Sequence, residues 1–285
     1  MPRPRSTSVE YLISQALAIE AEAAREAGAL GFMARALVQA TLPHRKTPGT
    51  EFVRRNGAYT LSMLSPSAVG LPYGSVPRLL LAWLCTEAVK TRSRELLLGD
   101  NLSGFMRHLD LVPTGGRWGT IGRLKEQTKR LFSTTISCVY EDKDRTALLG
   151  YRMADKASLW WAAKSPGQAS LWESTVTLSE QFYKEVTDHP VPLDMRALKT
   201  LRRSPLALDL YAWLTYRMSY LKHDTEIPWA ALAAQFGSNY GRLRAFKEAL
   251  LAELRKVQEV YPEARVGAGD YGLLLRPSKP HIPKA

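Results

Sequence analysis

The sequence predicts an α+β fold, mainly helical, in which one structural module occurs twice. The same order of elements, namely helix, short strand, short helix, basic helix and β-hairpin, is predicted in each half of the chain. The opening helix of each half has a serine–proline start, and each contains an Ala-Trp-Leu triplet, at residues 82–84 and 212–214. Self-similarity of this kind indicates a duplicated unit.

Length, composition and charge limit the classes to which the protein can belong. Its 285 residues are enough for two domains with their own cores, and 45% hydrophobic with 23% charged residues is typical of globular proteins. The net charge of +12 predicts a polyanionic partner, either nucleic acid or an anionic membrane surface. No apolar run approaches the roughly 20 residues of a membrane-spanning helix, so nucleic acid is favoured and no membrane partner is expected. Cys85 and Cys138 lie in apolar stretches, which indicates buried thiols and a cytoplasmic location.

Residues 1–42 are predicted to form a partly disordered, helical N-terminal arm. The segment from residue 9 to residue 40 is rich in alanine, which favours helix, and Gly28 and Gly31 should divide it into two helices. Nothing in its composition indicates chemistry, so the arm is expected to serve packing or dimerisation.

Local sequence signals predict the elements that follow the arm. Residues 51–64 alternate in character around an Asn-Gly turn at residues 56–57 and should be extended. A serine–proline start predicts a helix over residues 75–91. A short strand at residues 95–98 and a short helix at residues 101–109 come next.

A glycine-rich entry leads into an amphipathic helix over residues 117–132. This segment contains five Lys/Arg and one Glu, which gives a local charge of +4. Strands at residues 133–140 and 147–152 follow it and should form a β-hairpin. The helical spacing of the apolar positions predicts a buried stripe of Trp118, Ile121, Leu124, Thr128 and Leu131/Phe132. The opposite face carries Arg117, Thr120, Arg123, Gln127 and Arg130.

The second half repeats this order after a loop or sheet edge at residues 157–172. A helix begins at Ser204-Pro205 and is followed by a strand at residues 225–227 and a short helix at residues 228–236. A long helix at residues 239–259 has five Lys/Arg and three Glu, so its charge is only +2, and a hairpin at residues 264–275 closes the module. The predicted buried stripe of the long helix consists of Leu243, Phe246, Leu250, Leu254 and Val257.

A basic helix followed by a β-hairpin is typical of the recognition helix and wing of a winged helix, which is a helix-turn-helix with a hairpin appended. The sequence therefore predicts tandem winged-helix domains at residues 43–188 and 189–276, flanked by the arm at residues 1–42 and a basic tail at residues 277–285. A solvated face on a core helix is the alternative for one such helix, but two in equivalent places favour DNA binding. The candidate DNA-binding residues are Arg117, Thr120, Arg123, Gln127, Lys129 and Arg130 in the first domain and Asn239, Arg242, Arg244 and Lys247 in the second.

Separate roles are predicted along the first basic helix. Arg123 and Gln127 should read base edges, because both side chains can form two hydrogen bonds with guanine or adenine. Arg117 and Lys129 should hold backbone phosphates, Arg117 at the helix entrance where free N–H groups favour an anion.

The sequence carries no motif for catalysis, so no catalytic residue, cofactor or metal is predicted. No glycine is followed by lysine, and a P-loop is therefore absent. The five histidines lie far apart, and none forms a His-x-His or His-Glu-x-x-His pair. An origin-nicking enzyme that depends on such a metal site is accordingly disfavoured.

Several long segments resemble the plasmid-encoded RepA family of bacterial replication initiators, and the resemblance extends from about residue 40 to the end of the chain. It implies a non-enzymatic initiator that binds repeated double-stranded sites at a plasmid origin. It also implies help from the host initiator and replicative helicase, and homodimers in equilibrium with monomers. The segments are LPYGSVPRLLLAWL at 71–84, TEAV at 86–89, TGGRWGT at 114–120, RSPLALD at 203–209, WLTYR at 213–217 and YPEA at 261–264.

A second function uses the same fold. A winged-helix transcriptional repressor, acting at its own promoter, would need the same basic helices, and one protein can serve both roles. Composition and spacing alone support a tandem winged-helix DNA binder.

Overall fold

The computed structural model describes residue 19 and residues 23–98, 102–116, 119–159, 174–237 and 240–283. Within these residues the chain is α+β, as predicted. The prediction of a mainly helical chain is wrong, because helices hold only 41% of the described residues.

The helices and strands are named here in chain order. They are β1 (Leu30–Ala34), α1 (Arg35–Gln39), β2 (Glu51–Asn56), β3 (Tyr59–Leu64), α2 (Ser75–Thr91), β4 (Glu95–Leu97), α3 (Leu102–His108), α4 (Thr120–Ser133), β5 (Thr135–Glu141), β6 (Thr146–Arg152), β7 (Ala154–Ser158), β8 (Thr175–Leu178), α5 (Glu180–Asp188), β9 (Pro190–Asp194), α6 (Met195–Leu201), α7 (Pro205–Met218), β10 (Thr225–Pro228), α8 (Trp229–Phe236), α9 (Leu243–Val260), β11 (Val266–Ala268) and β12 (Gly272–Leu275).

The chain forms two compact units. The first unit contains residues 32–190. The second contains residues 191–283 together with the described residues up to Gly31.

A four-stranded antiparallel sheet with the order β2-β3-β5-β6 is the larger of two sheets in the first unit. In register, Leu61 of β3 lies opposite Cys138 of β5, and Met63 lies opposite Ile136. All four side chains are buried, so one face of the sheet packs into the core. A turn at residues 57–58, one residue later than the predicted Asn-Gly pair, joins β2 to β3, and Gly57 has a positive φ of 59° there.

The smaller sheet of the first unit changes the predicted repeat. Its order is β4-β8-β7, so the hairpin that pairs with the short strand β4 is β7–β8. The hairpin β5–β6, which follows the basic helix directly, pairs with β3 instead. The hairpin predicted after the basic helix is therefore present as β5–β6, but its other partner in the sheet is β3 and not β4. In the predicted order of elements, the last element is a hairpin after the basic helix. The hairpin that pairs with the short strand of this order is β7–β8.

The second unit holds a three-stranded antiparallel sheet with the order β10-β12-β11. Helix α9 buries Phe246, Leu250, Leu254 and Val257, in agreement with the predicted stripe. Leu243 is 49% exposed, which corrects its assignment to the stripe: the helix begins at this residue, and the buried face starts one turn later.

Residues 30–34 form the strand β1, although the sequence predicts helix there. The backbone N–H of Phe32 donates to Oγ1 of Thr86 at 2.9 Å, a side-chain acceptor outside the segment. The glycines at positions 28 and 31 weaken the helical alternative, because glycine loses more backbone entropy in a helix than alanine does. Most of the predicted arm, at residues 1–18 and 20–22, lies outside the described residues.

The two tryptophans of the Ala-Trp-Leu triplets are buried, as the repeat predicts. Trp83 is 7% exposed and its ring packs edge-on against Phe105 of α3, with 5.0 Å between ring centroids. Trp213 is 4% exposed and packs in the same way against Phe236 of α8, with 5.4 Å between centroids. In both units, therefore, the opening helix is fixed to the short helix after it by a T-shaped aromatic pair.

The C-terminal segment packs against the second unit. His281 stacks on Tyr261, with 4.7 Å between ring centroids, and its Nδ1 lies 2.8 Å from Oη of the buried Tyr211. The same Oη accepts the backbone N–H of Asp194 at 2.9 Å, which leaves the phenol proton for Nδ1. Ile282 is buried beside this cluster. Ile282 of the predicted basic tail is thus part of the core, and His281 packs beside it, while Lys279 and Pro283 are exposed.

We expect this cluster to make stability depend on pH. Burial, with a smaller contribution from Arg196, lowers the pKa of His281, whereas Asp194 and Glu263 oppose the shift. An unfolded histidine titrates near pH 6.5, so the unfolded chain binds this proton more readily than the folded one. The stability contributed by His281 is therefore complete above about pH 6.5 and is lost as the pH falls through the lower pKa of the folded state.

The measurement is the thermal unfolding midpoint of the full chain between about pH 7.5 and about pH 5.5. His281→Phe keeps a ring on Tyr261 but cannot titrate, so its midpoint should fall less with acid than that of the parent. The exposed His223 provides the matched control, and His223→Phe should keep the parental dependence. An unchanged acid dependence in His281→Phe would show that this histidine is not its source.

Candidate nucleic-acid interface

The start of the basic helix α4 is held by two threonines. Thr114 and Thr120 each donate a backbone N–H to the other's Oγ1 at 2.9 Å, and Oγ1 of Thr120 also donates to the carbonyl of Val112. Gly119 precedes the helix, and a Cβ at this position would overlap the carbonyl oxygens of Thr114 and Gly115. Thr120, predicted to contact DNA, therefore has its hydroxyl engaged in closing the loop before the helix.

Gln127 lies on the buried face of α4. That face consists of Leu124, Gln127, Thr128 and Leu131, at the three- and four-residue spacing of one helical stripe. Gln127 is 3% exposed, and its Oε1 accepts the backbone N–H of Tyr73 at 2.8 Å. The prediction that Gln127 shares an exposed face with Arg123 is wrong, because the polar side chain completes the apolar stripe by satisfying a loop N–H.

Arg130 also faces the protein. Its Nη1 donates to the carbonyl of Leu71 at 3.0 Å, its Nη2 lies 2.8 Å from Oε1 of Glu126, and its guanidinium lies 5.4 Å from the centre of the Tyr73 ring. Only 11% of the side chain is exposed. The placement of Arg130 on an exposed face is therefore wrong, and with Gln127 it fixes the loop at residues 70–73 to the helix.

We expect Gln127→Ala to reduce stability without a direct effect on DNA binding. The substitution leaves the N–H of Tyr73 without its acceptor in a closed site, which costs about 1–3 kcal/mol. The free energy of unfolding should fall by this amount, while the affinity of the folded protein for DNA stays within a factor of about two. Lys129→Ala is the matched comparison on the same helix, with the opposite expectation. A large loss of site preference in a Gln127→Ala protein that remains folded would restore the base-reading role.

The exposed face of α4 carries three cations. Arg123, Lys125 and Lys129 are all exposed, and Glu126 between them is paired with Arg130. Sequence reasoning missed Lys125, because it centred the outward face on Gln127. A helical wheel could have identified it, since residue 125 lies outside the stripe of Leu124, Thr128 and Leu131, at the edge of the exposed surface.

The candidate residues of the second unit lie near the start of α9. Arg242 is exposed and precedes the helix in extended backbone, with φ −141° and ψ 139°. Arg244 is 89% exposed and pairs with Glu248 at 3.0 Å. Lys247 is half-buried, and its Nζ lies 4.7 Å from the centre of the Trp229 ring, a cation–π contact that competes with a phosphate for the ammonium group. Arg117 and Asn239 lie outside the described residues.

Long basic side chains on one helix face can neutralise DNA phosphates, and an arginine can also bind guanine through two hydrogen bonds. Among the described residues, no three His, Cys, Asp or Glu side chains come close enough together to hold a metal ion. In the same part of the chain, every helix is too short or too polar to cross a bilayer.

The family model described as "Plasmid encoded RepA protein" matches residues 71–231, which is more than half of the chain. Among solved structures, domains 2 and 3 of RctB are similar in fold. A selenomethionine derivative of these domains has a TM-score of 0.53 and 13% sequence identity, with 86% of this chain and 95% of that chain covered. A second RctB structure of the same domains has a TM-score of 0.49 and 14% identity, with 77% and 82% covered. The comparison with curated proteins gives no match.

Proposed function

The chain belongs to the family of plasmid-encoded RepA proteins, and we propose on this premise that it initiates plasmid replication by binding repeated double-stranded DNA sites at the plasmid origin. The family match over residues 71–231 is the observation that carries the proposal. The net charge of +12 and the exposed cations of α4 agree with a DNA partner. Such a role belongs to the cytoplasm, where the plasmid is.

Each unit functions in this proposal as a winged helix. Support comes from strand order, which is β4-β8-β7 in the first unit and β10-β12-β11 in the second. In both sheets the strand after the opening helix pairs with the last strand of the hairpin, and the helices α4 and α9 lie between these strands in the chain. The hairpin β7–β8 is then the wing of the first unit, and β11–β12 is the wing of the second.

The proposed DNA contacts follow from exposure. Arg123 reads base edges, while Lys125 and Lys129, at other positions on the exposed surface of the same helix, bind backbone phosphates. In the second unit, Arg242 and Arg244 make the contacts near the start of α9, where recognition helices meet bases.

The protein acts without catalysis of its own and recruits the host initiator and replicative helicase, as a dimer in equilibrium with monomers. The full sequence supports the non-enzymatic part, because it contains neither a P-loop nor the histidine pair of a metal-dependent nicking site. Repression of its own promoter would use the same DNA contacts.

Transformation tests initiation directly. The gene with its flanking DNA is placed on a fragment that lacks any other origin, and autonomous plasmids should be recovered from a suitable host. The same fragment with Arg123, Lys125 and Lys129 all changed to Ala should give none, although the protein accumulates. Recovery of plasmids from neither fragment, with specific binding to the flanking DNA intact, would leave the repressor as the function.

A second assay tests the absence of catalysis. Purified protein is incubated with supercoiled origin DNA and Mg²⁺, and the DNA should stay supercoiled. Accumulation of open circles would show a nicking enzyme.

A further inference from the structure

A cleft of about 320 Å³ opens on the first unit beside the four-stranded sheet. Helix α1, strands β3, β5 and β6 and helix α5 supply its walls. This volume lies in the range of pockets that take small organic molecules. None of the residues proposed to contact DNA lines it.

The cleft exists because the buried face of the sheet is incompletely filled at one end. In register across the sheet, Tyr59 lies opposite Tyr140, which lies opposite Ala147. Next to this row, Cys138 lies opposite Leu149. Ala147 is too small to fill its place in the row, and helix α1 presents another alanine at position 36. Two small side chains therefore leave an apolar space between the helix and the sheet.

Two arginines give the cleft its charge. Arg35 enters from α1 and Arg145 from the turn between β5 and β6. Within the described residues, no hydrogen bond or ion pair engages either guanidinium group. Glu185 is the carboxylate in the wall, and its Oε1 accepts the backbone N–H of residue 36 at 3.0 Å. Asp142, in the same turn as Arg145, does not line the cleft and accepts the backbone N–H groups of residues 144 and 145. Its pKa is lowered mainly by hydrogen bonds and to a smaller extent by the nearby charge of Arg145.

Two uncharged side chains, Tyr59 and Cys138, also line the cleft, and Oη of Tyr59 donates to the carbonyl of Ala36 at 3.4 Å. Burial raises the pKa of Tyr59 and of Cys138, so both groups stay protonated at neutral pH. A ligand in the cleft therefore meets two guanidinium groups, one engaged carboxylate, an uncharged phenol and thiol, and an aliphatic wall.

From this arrangement we propose that the cleft is a binding site for a small organic anion, a carboxylate or phosphate with an apolar body. Arg35 and Arg145 bind the charged group through hydrogen bonds, and the apolar body lies against Ala147 and Leu149. The site is separate from the DNA contacts proposed above, so it stands or falls independently of the initiator role.

The test uses phenyl phosphate as the probe and the full chain without DNA, with binding followed by calorimetry. Benzylamine, with a similar ring and the opposite charge, is the control ligand. Saturable binding of phenyl phosphate is expected, and it should weaken by about tenfold or more in Arg35→Gln and in Arg145→Gln, because each loses a charge-assisted hydrogen bond. Arg55→Gln is the matched control variant, since Arg55 is exposed on the opposite face of the same sheet.

Two further experiments test whether the ligand binds in the cleft and whether the site binds a small anion or the phosphates of DNA. Ala147→Phe should abolish binding by filling the cleft while both arginines remain; if this variant fails to fold, the arginine variants and the Arg55→Gln control still decide. A random-sequence duplex should not displace phenyl phosphate, and its affinity should be the same in Arg35→Gln. The proposal is overturned if phenyl phosphate does not bind, or if benzylamine binds equally well. It is also overturned if Arg55→Gln weakens binding as much as the two cleft variants do. Displacement of phenyl phosphate by the duplex would overturn it too and would identify a DNA backbone contact.

Discussion

Replacing Trp213 with alanine is expected to lower the free energy of unfolding by about 3–5 kcal/mol. The ring is 4% exposed and contacts Phe236 edge-on, so its removal exposes a cavity between α7 and α8 that the neighbouring helices cannot fill without moving. Trp83→Ala should have a similar effect in the first unit, because Trp83 packs in the same geometry against Phe105. A loss of this size is a large fraction of the stability of an ordinary domain.

Urea unfolding, followed by circular dichroism, measures this effect on the full chain. Tyr271→Ala is the control in the same unit, because that side chain is 81% exposed and its loss should change stability by less than about 0.5 kcal/mol. A folded Trp213→Ala protein with the stability of the parent would contradict the equivalence of the two aromatic pairs.

The aromatic pairs illustrate what local sequence could predict. Helix α7 follows from the capping Ser204 and the proline after it, and Oγ of that serine does accept the N–H of Ala207. Each such signal lies within a few residues, where one hydrogen bond or one apolar stripe decides the structure. The burial of Trp83 and Trp213 was predictable for the same reason, since both lie in strongly apolar helices.

Strand pairing was not predictable in this way. The alternation of Ile136 and Cys138 defines β5 as a strand, but it fits any partner with an apolar face, and β3 provides one in Leu61 and Met63. Local sequence therefore does not indicate that the hairpin after the basic helix pairs with β3. The strand that pairs with β4 is β8, at residues 175–178, which follows the hairpin β5–β6 in the chain. Nothing in the local sequence of β8 indicates this partner.

In the candidate interface, too, local sequence predicts the helix but not the contacts that its side chains make with distant residues. Helical spacing predicts one exposed and one buried face for α4, and the boundary between them depends on Gln127. A glutamine counts as polar in a sequence pattern and is expected to be exposed. Burial of Gln127 is nevertheless favourable, because its Oε1 accepts the N–H of Tyr73, which would otherwise have no partner. Arg130 was misplaced for a related reason, because its acceptor is a loop carbonyl at residue 71, distant in sequence.

The exposed cations of α4 should supply most of the salt-dependent affinity of the first unit. Changing Arg123, Lys125 and Lys129 together to alanine removes three charges that are exposed on one helix. Each phosphate contact releases a counterion, so the slope of log affinity against log salt should decrease by about one for each of Lys125 and Lys129 and by about two in the triple variant. Lys90→Ala is the control, because that exposed lysine lies at the end of α2 and outside the proposed interface.

The single variants separate the two kinds of contact. Lys125→Ala and Lys129→Ala should weaken specific and scrambled duplexes alike, because phosphates carry no sequence information. Arg123→Ala should lose about 1–3 kcal/mol on the specific site alone and relax the preference at one base pair. Titrations of each variant on both duplexes at several salt concentrations distinguish these outcomes. An equal loss on both duplexes in Arg123→Ala would make α4 a phosphate clamp, and base recognition would then have to come from α9, where the side chain of Arg244 is 89% exposed.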